Sequence, residues 1–171
     1  MKKVFFPVVV AMVLILSGCQ QKPVDNRLDL SGQELKRVPD YVFKLNNLEE
    51  LNISNNQLTG VLQAEIANLK SLKVLKADNN LMTSMPAEVG QLLNLQIFSI
   101  NNNLLASIPK EIGQMQSLEI LDLSNNQLTG LPYEMGNLKN IQTINISGNT
   151  YSASDLDIIS ESLSTTTNII K

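Results

Sequence analysis

The chain has 171 residues, 43 % of them hydrophobic and 17 % charged, with a formal net charge of −3. That length suits one domain better than two, and the balance is that of a folded protein, which excludes disorder of the whole chain. No run of Lys or Arg occurs beyond the first three residues, so the electrostatic footprint of a nucleic-acid binder is missing.

The first nineteen residues differ in kind from the rest: Lys2 and Lys3, an apolar run from Val4 to Leu16, then Ser17, Gly18 and Cys19. This is the three-part layout of a secretory signal. The apolar run is 13 residues long, whereas a spanning helix needs about 20. The segment Leu16-Ser17-Gly18-Cys19 resembles the lipobox of bacterial lipoproteins. The resemblance implies that residues 1–18 are a lipoprotein signal peptide, cut before Cys19, and that the Cys19 thiol receives a diacylglycerol. An ordinary signal peptide with an incidental cysteine is the alternative.

Cleavage removes Lys2 and Lys3 and leaves 11 basic against 16 acidic residues. Acylation at one cysteine brings two or three chains, each buried CH₂ contributing about 0.8 kcal/mol, and two chains suffice for stable anchoring. Gln20 stands where enteric lipoproteins retained at the inner membrane carry Asp, which in a Gram-negative host implies outer-membrane sorting. The expected location is the cell membrane or outer membrane, facing the periplasm or the cell exterior. Residues 19–24 form a short tether. Its stretch from Gln20 to Val24 spans at most about 18 Å when extended.

From Asp25 onward the chain repeats. "SNNQLTG" occurs at residues 54–60 and again at 124–130, a separation that accommodates three periods of 23 or 24 residues. Units begin at Asp25, Leu48, Leu72, Leu95, Leu118 and Ile141, with one extra residue near Leu62 to Glu65. Each holds apolar residues two apart, as in Leu121 and Leu123, which is strand spacing. A row of amides follows: Gln33, Asn56, Asn80, Asn103, Asn126 and Asn149. Such amides satisfy backbone groups where the chain turns out of the strand, in their own coil and the next.

The pattern, cleanest in "LEILDLSNNQLTGLPYEMGNLKN" from Leu118 to Asn140, resembles the leucine-rich repeat family. The resemblance implies an α/β solenoid over residues 25–153, with about six coils, a parallel sheet on the concave face and short helices or turns on the convex face. Asp25, Gln33 and Ala77 depart from the pattern.

The return half of most units starts with an apolar residue and Pro, at Val38, Met85, Ile108 and Leu131. Pro suits a first helical position. Glu65, Glu88, Glu111 and Glu134 recur on that side, and the expectation is that each favours the positive end of a short helical turn rather than forming a metal site. Residues 154–171 form a cap and tail. Leu156, Ile159 and Leu163 share one helical face, and Ser154 is the expected cap residue. No equivalent cap precedes the first unit, so its strand is an exposed edge, protected by Arg27 and Asp29 or available for pairing.

Histidine is absent and Cys19 is the one cysteine. Ser–His–Asp and Cys–His catalysis, His-based metal sites and internal disulfides are therefore excluded. Asp78 and Asp122, two strands apart, are expected about 12 Å from each other, beyond the spacing of about 5 to 9.5 Å used in glycoside hydrolysis. No enzyme, cofactor or metal site is expected.

The concave face is where units differ. Val74, Ile97 and Ile120 form an apolar row among polar neighbours, which suits a protein-binding patch. Val74, Lys76, Ile97, Ser99, Ile120 and Asp122 are the candidate partner-binding residues, and the expected partner is a protein or glycan. The alternative is a structural protein that self-associates weakly through the uncapped edge.

Overall fold

The computed structural model describes residues 26–171. The described strands are β1 (Arg27–Asp29), β2 (Glu50–Asn52), β3 (Thr59–Val61), β4 (Val74–Lys76), β5 (Leu81–Ser84), β6 (Ile97–Ser99), β7 (Ile120–Asp122), β8 (Thr143–Asn145) and β9 (Asn168–Ile170), with one α-helix, α1 (Ala153–Ser162). Seven of the strands form one sheet in the order β1-β2-β4-β6-β7-β8-β9, and β3 pairs with β5 in a second. Every pairing is parallel. The architecture is the expected solenoid, with a seventh strand after α1 where the sequence pattern shows six.

The middle residue of each strand in the large sheet turns inward. Leu51, Leu75, Phe98, Leu121 and Ile144 stand in register and are at most 1 % exposed. Fully burying a side chain of this size contributes about 1.5–3 kcal/mol, so each coil adds several such terms. Ala77 is buried too, and Phe98 on the next strand is the largest fully buried side chain.

The amide row lies inside the stack. Asn126 Nδ2 donates to the carbonyl oxygens of Ile100 at 3.1 Å, Leu123 at 2.9 Å and Ser124 at 3.2 Å, while its Oδ1 accepts the Leu105 N–H at 3.0 Å. Asn56, Asn80, Asn103 and Asn149 repeat the arrangement. Two of the contacts reach the preceding coil, not the following one as the sequence suggested. The Ile100 carbonyl accepts from both Asn103 and Asn126, so neighbouring amides share acceptors and the row is continuous. At the head of the row Gln33 carries no equivalent bond among the described residues. Its own N–H donates to Asn56 Oδ1 at 2.9 Å.

The residue before each ladder amide explains the doubled Asn. Asn55, Asn79, Asn102 and Asn125 have φ between 52° and 57°, and Gly32 and Gly148 hold the same place with φ of 66° and 69°. Asn is among the few side chains that visit this left-handed region at small cost. The first Asn therefore makes the corner, and the second ties it to the coil before.

The convex side carries short 3-10 helices at Val42–Lys44, Ala64–Asn68, Ala87–Gln91, Lys110–Gln114 and Tyr133–Asn137. Pro86, Pro109 and Pro132 sit one place earlier than expected, in the extended residue before the helix, and their carbonyls accept the N–H three residues on. Coil 2 has Gln63 there, with the same extended backbone. The Gln63 side chain accepts the Val38 N–H at 3.0 Å and donates to the Val38 carbonyl at 2.7 Å, bracing coil 1. The extra residue of this coil falls near a register shift between Gly60 and Val61.

Helix α1 closes the C-terminal end and buries Leu156 and Ile159. Ser152, not Ser154, is its N-cap residue, and its side chain does not cap the helix. Asp155 instead accepts the Leu131 N–H at 3.1 Å, which holds α1 to the last full coil. Strand β9 was unexpected because it follows the polar stretch 164–167 and has no ladder amide after it. Ile169 stands opposite Ile144 and extends the inner row by one place.

Candidate binding face

The outward positions of the large sheet form rows that cross the strands. The first runs Arg27, Glu50, Val74, Ile97, Ile120, Thr143, Asn168. Val74, Ile97 and Ile120 are thus direct neighbours, as the spacing predicts. Val74 and Ile97 are half-buried and Ile120 is 39 % exposed.

The second row runs Asp29, Asn52, Lys76, Ser99, Asp122, Asn145, Ile170. Several of its members are tied up in the fold. Asp29, Asn52, Asp122 and Asn145 each accept the backbone N–H two residues on, from Ser31, Ser54, Ser124 and Ser147, at 2.8 to 3.2 Å. These side chains close the turn at the strand's end, a role that Asp and Asn fill well. Asp122 also accepts the Ser124 hydroxyl at 2.7 Å and an amide proton of Asn101 at 3.2 Å. Ser99 donates to Asp78, and Asn101 Nδ2 donates to Ser99 Oγ at 3.1 Å. The Asp78 and Asp122 carboxylates are therefore joined by a chain of hydroxyl and amide donors, an arrangement that holds both as acceptors.

Charges on the face are paired as well. Glu50 lies 3.3 Å from Arg27 and 3.6 Å from Lys76. At the strand entrance Glu49 meets Lys73 at 2.8 Å, and that contact, with the Asn26 amide, holds the Glu49 carboxyl below its ordinary range. The Ser31 hydroxyl and N–H do the same for Asp29. Exposed pairs of this kind contribute little to stability. They set the rim of the face: charged beside the apolar row on the N-terminal side, uncharged at Thr143 and Asn168 on the other.

Of the six candidate residues, Val74, Ile97 and Ile120 come together as one strip. Lys76, Ser99 and Asp122 line up beside it, each already engaged within the protein. Ile170 is a further member that the sequence did not suggest, 42 % exposed at the end of the second row. Cys19, residues 1–18 and the tether 19–24 lie outside the described residues. Among the described residues no group of acidic or sulfur side chains could hold a metal ion, and no helix is long and apolar enough to cross a membrane. The four convex glutamates lie in the first turns of successive 3-10 helices.

A stack of short parallel strands with a concave, variable outer face defines a solenoid scaffold, a class whose curvature supplies extended binding surfaces. The model of the leucine rich repeat family matches residues 26–82 and 93–150, and the chain belongs to that family, whose domains are in general protein-interaction modules. Mouse leucine-rich repeat-containing protein 10 is 32 % identical over 76 residues, 44 % of this chain and 27 % of that protein. A leucine-rich repeat protein of Leptospira interrogans superposes with a TM-score of 0.63 and 34 % identity, covering 81 % of this chain and 41 % of that one. The ectodomain of the receptor kinase GASSHO1/SCHENGEN3 from Arabidopsis thaliana, solved in complex with Casparian strip integrity factor 2, has a TM-score of 0.63 and 36 % identity over 67 % of this chain and 14 % of that one. The chain spans less than half the length of each of these relatives.

Proposed function

We propose that the chain is a lipoprotein, anchored to a membrane through Cys19, whose repeat domain binds a protein partner through the concave face. The observation that carries the partner-binding half of this reading is the in-register strip Val74, Ile97 and Ile120, half-open to solvent beside polar side chains that are satisfied within the fold. A partner can cover the strip without stripping hydrogen bonds from its neighbours, so apolar contact is gained at low desolvation cost. A neighbouring receptor ectodomain solved with its ligand fits this use of the fold. A glycan ligand, by contrast, would have to compete for donors and acceptors already engaged at Ser99 and Asp122. No catalytic step is assigned to the face.

Two measurements test the two halves of this reading. Changing Val74, Ile97 and Ile120 together to Asp is expected to weaken capture of the cross-linked partner about 100-fold or more. Ile120→Asp alone, at the most exposed of the three, controls for misfolding. Unchanged capture by both variants would remove the concave face from the proposal. The intact mass of protein extracted from membranes tests the anchor: a chain that starts at residue 19 and carries acyl groups is expected, and an unmodified chain starting at Met1 would refute it.

A further inference from the structure

The polar side chains beside the strip Val74, Ile97 and Ile120 constrain what can lie on it. On the downstream flank, β4, β6 and β7 and the corners after them present Lys76, Asp78, Ser99, Asn101, Asp122 and Ser124. Four of these carry side-chain donors, and three of the four are spent within the protein. The Ser99 hydroxyl donates to Asp78, the Ser124 hydroxyl to Asp122 at 2.7 Å, and Asn101 Nδ2 to Ser99 Oγ at 3.1 Å and Asp122 Oδ2 at 3.2 Å. Of the six, Lys76 alone keeps free N–H groups, and it leans toward Glu50 at 3.6 Å. On the upstream flank Lys73 and Glu119 are engaged with Glu49 and Gln142, which leaves the exposed Gln96 amide.

Acceptors are in the opposite position. Asp78 Oδ1 takes the Ser99 hydroxyl and the Asn101 N–H, while Asp78 Oδ2 has no partner among the described residues. No ion pair among the described residues joins Asp78 or Asp122 to a cation. The downstream flank therefore offers two carboxylates with spare lone pairs and almost no donors.

This inventory discriminates between backbones. An extended segment laid along the strip turns its own carbonyls toward the flanks, and they need donors once water is excluded. The downstream flank would leave most of them unpaired. A helix closes its backbone hydrogen bonds internally and needs none from the face. Spacing agrees. Strands lie about 4.8 Å apart, so Val74 to Ile120 spans about 9.6 Å. Residues i and i+7 of a helix are about 10.5 Å apart along its axis. Residues i and i+4 of an extended chain, the outer two of three on one face, are about 13.2 Å apart.

We infer that the partner presents an amphipathic helix laid across β4, β6 and β7. Apolar side chains at i, i+3 or i+4, and i+7 rest on Val74, Ile97 and Ile120, and Lys or Arg side chains beside that stripe meet Asp78 and Asp122. This inference rests on the concave-face reading proposed above and adds the chemistry of what the face holds.

The test places a photoreactive amino acid singly at positions 74, 97 and 120 of the full-length chain, irradiates the cells, and locates the modified residues of the captured protein by mass spectrometry. The three probes are expected to mark one segment at steps of three or four residues, with seven between the outermost two. Steps of two would mark an extended segment and overturn the helix while leaving the concave face as the binding surface. Adducts scattered over unrelated segments, or none from any position, would overturn both. Asp78→Asn combined with Asp122→Asn tests the charge. Asn already stands in those places in other coils, Asn101 for Asp78 and Asn52 and Asn145 for Asp122, so the variant keeps the acceptors that close the turns. In broken cells the adduct yield from position 97 is expected to fall as salt is added to the parent, and to fall several-fold in the variant at low salt. A variant yield equal to the parent's would overturn the basic flank of the partner helix.

Discussion

Replacing Asn126 with Ala is expected to destabilise the domain by about 3 kcal/mol or more, because it orphans a buried donor and removes three further bonds at once. The Leu105 N–H, on a residue with no exposed surface, loses its one side-chain acceptor. The carbonyls of Ile100 and Leu123 keep the amides of Asn103 and Asn149, so the damage centres on the corner of coils 4 and 5. Asn126→Asp sharpens the test. It retains an acceptor for Leu105 but sets a carboxylate against three carbonyl oxygens, which favours its protonated form in the fold and raises its pKa. That variant should be unstable at neutral pH and regain stability as acid protonates it, the reverse of ordinary acid denaturation. Asn125→Gly, one residue earlier, should change stability by only a few tenths of a kcal/mol, since Gly tolerates positive φ at least as well. Urea unfolding followed by circular dichroism distinguishes these outcomes, and an Asn126→Ala midpoint equal to the parent's would show that the amide row is dispensable.

The second large effect is expected on the opposite face. Gly113→Ala places a methyl against the backbone carbonyl of Glu134, with the Glu134 Cβ at 2.9 Å, and Gly90→Ala does the same at Glu111. Backbone cannot swing aside as a side-chain tip can, so the stacked 3-10 helices must separate, at a cost of about 1–3 kcal/mol. The position is Phe43 in coil 1 and Ala67 in coil 2, so close stacking without a side chain begins at coil 3. Ala67→Gly is the matched control, expected to lose no more than about 1 kcal/mol. Equal midpoints for Gly113→Ala and the parent would mean that the coils are free to part there.

These two sites also show what could be read in advance. The Leu positions and the ladder amides recur at fixed offsets over several units, so one sequence carries its own internal comparison, and Leu121, Leu123, Asn126 and Leu128 are legible from it. Gly90, Gly113 and Gly136 recur too, but a glycine reports only the lack of a side chain, and what forbids one lies elsewhere in the stack: a carbonyl of the next coil at Gly90 and Gly113, and Ser162 of α1 at Gly136. Strand β9 escaped because three residues beyond a helix form no period. The paired Asn residues were visible as a string, yet only the backbone angle at Asn125 separates the corner from the tie. On the concave face the strip Val74, Ile97 and Ile120 follows from register alone. That Asp122 closes its own turn, and that Ser99 is spent on Asp78, depends on side-chain directions that spacing does not fix.

The concave strip carries the proposed function, and a photoreactive amino acid placed in it tests that most directly. The probe replaces Ile97 in one variant and Gln114, exposed on the convex side, in another, and both are irradiated in intact cells. A discrete adduct is expected from position 97, absent from position 114 and lost when Val74 and Ile120 are changed to Asp. An adduct from position 114 alone, or one from position 97 that survives those changes, would contradict a partner held by the concave face.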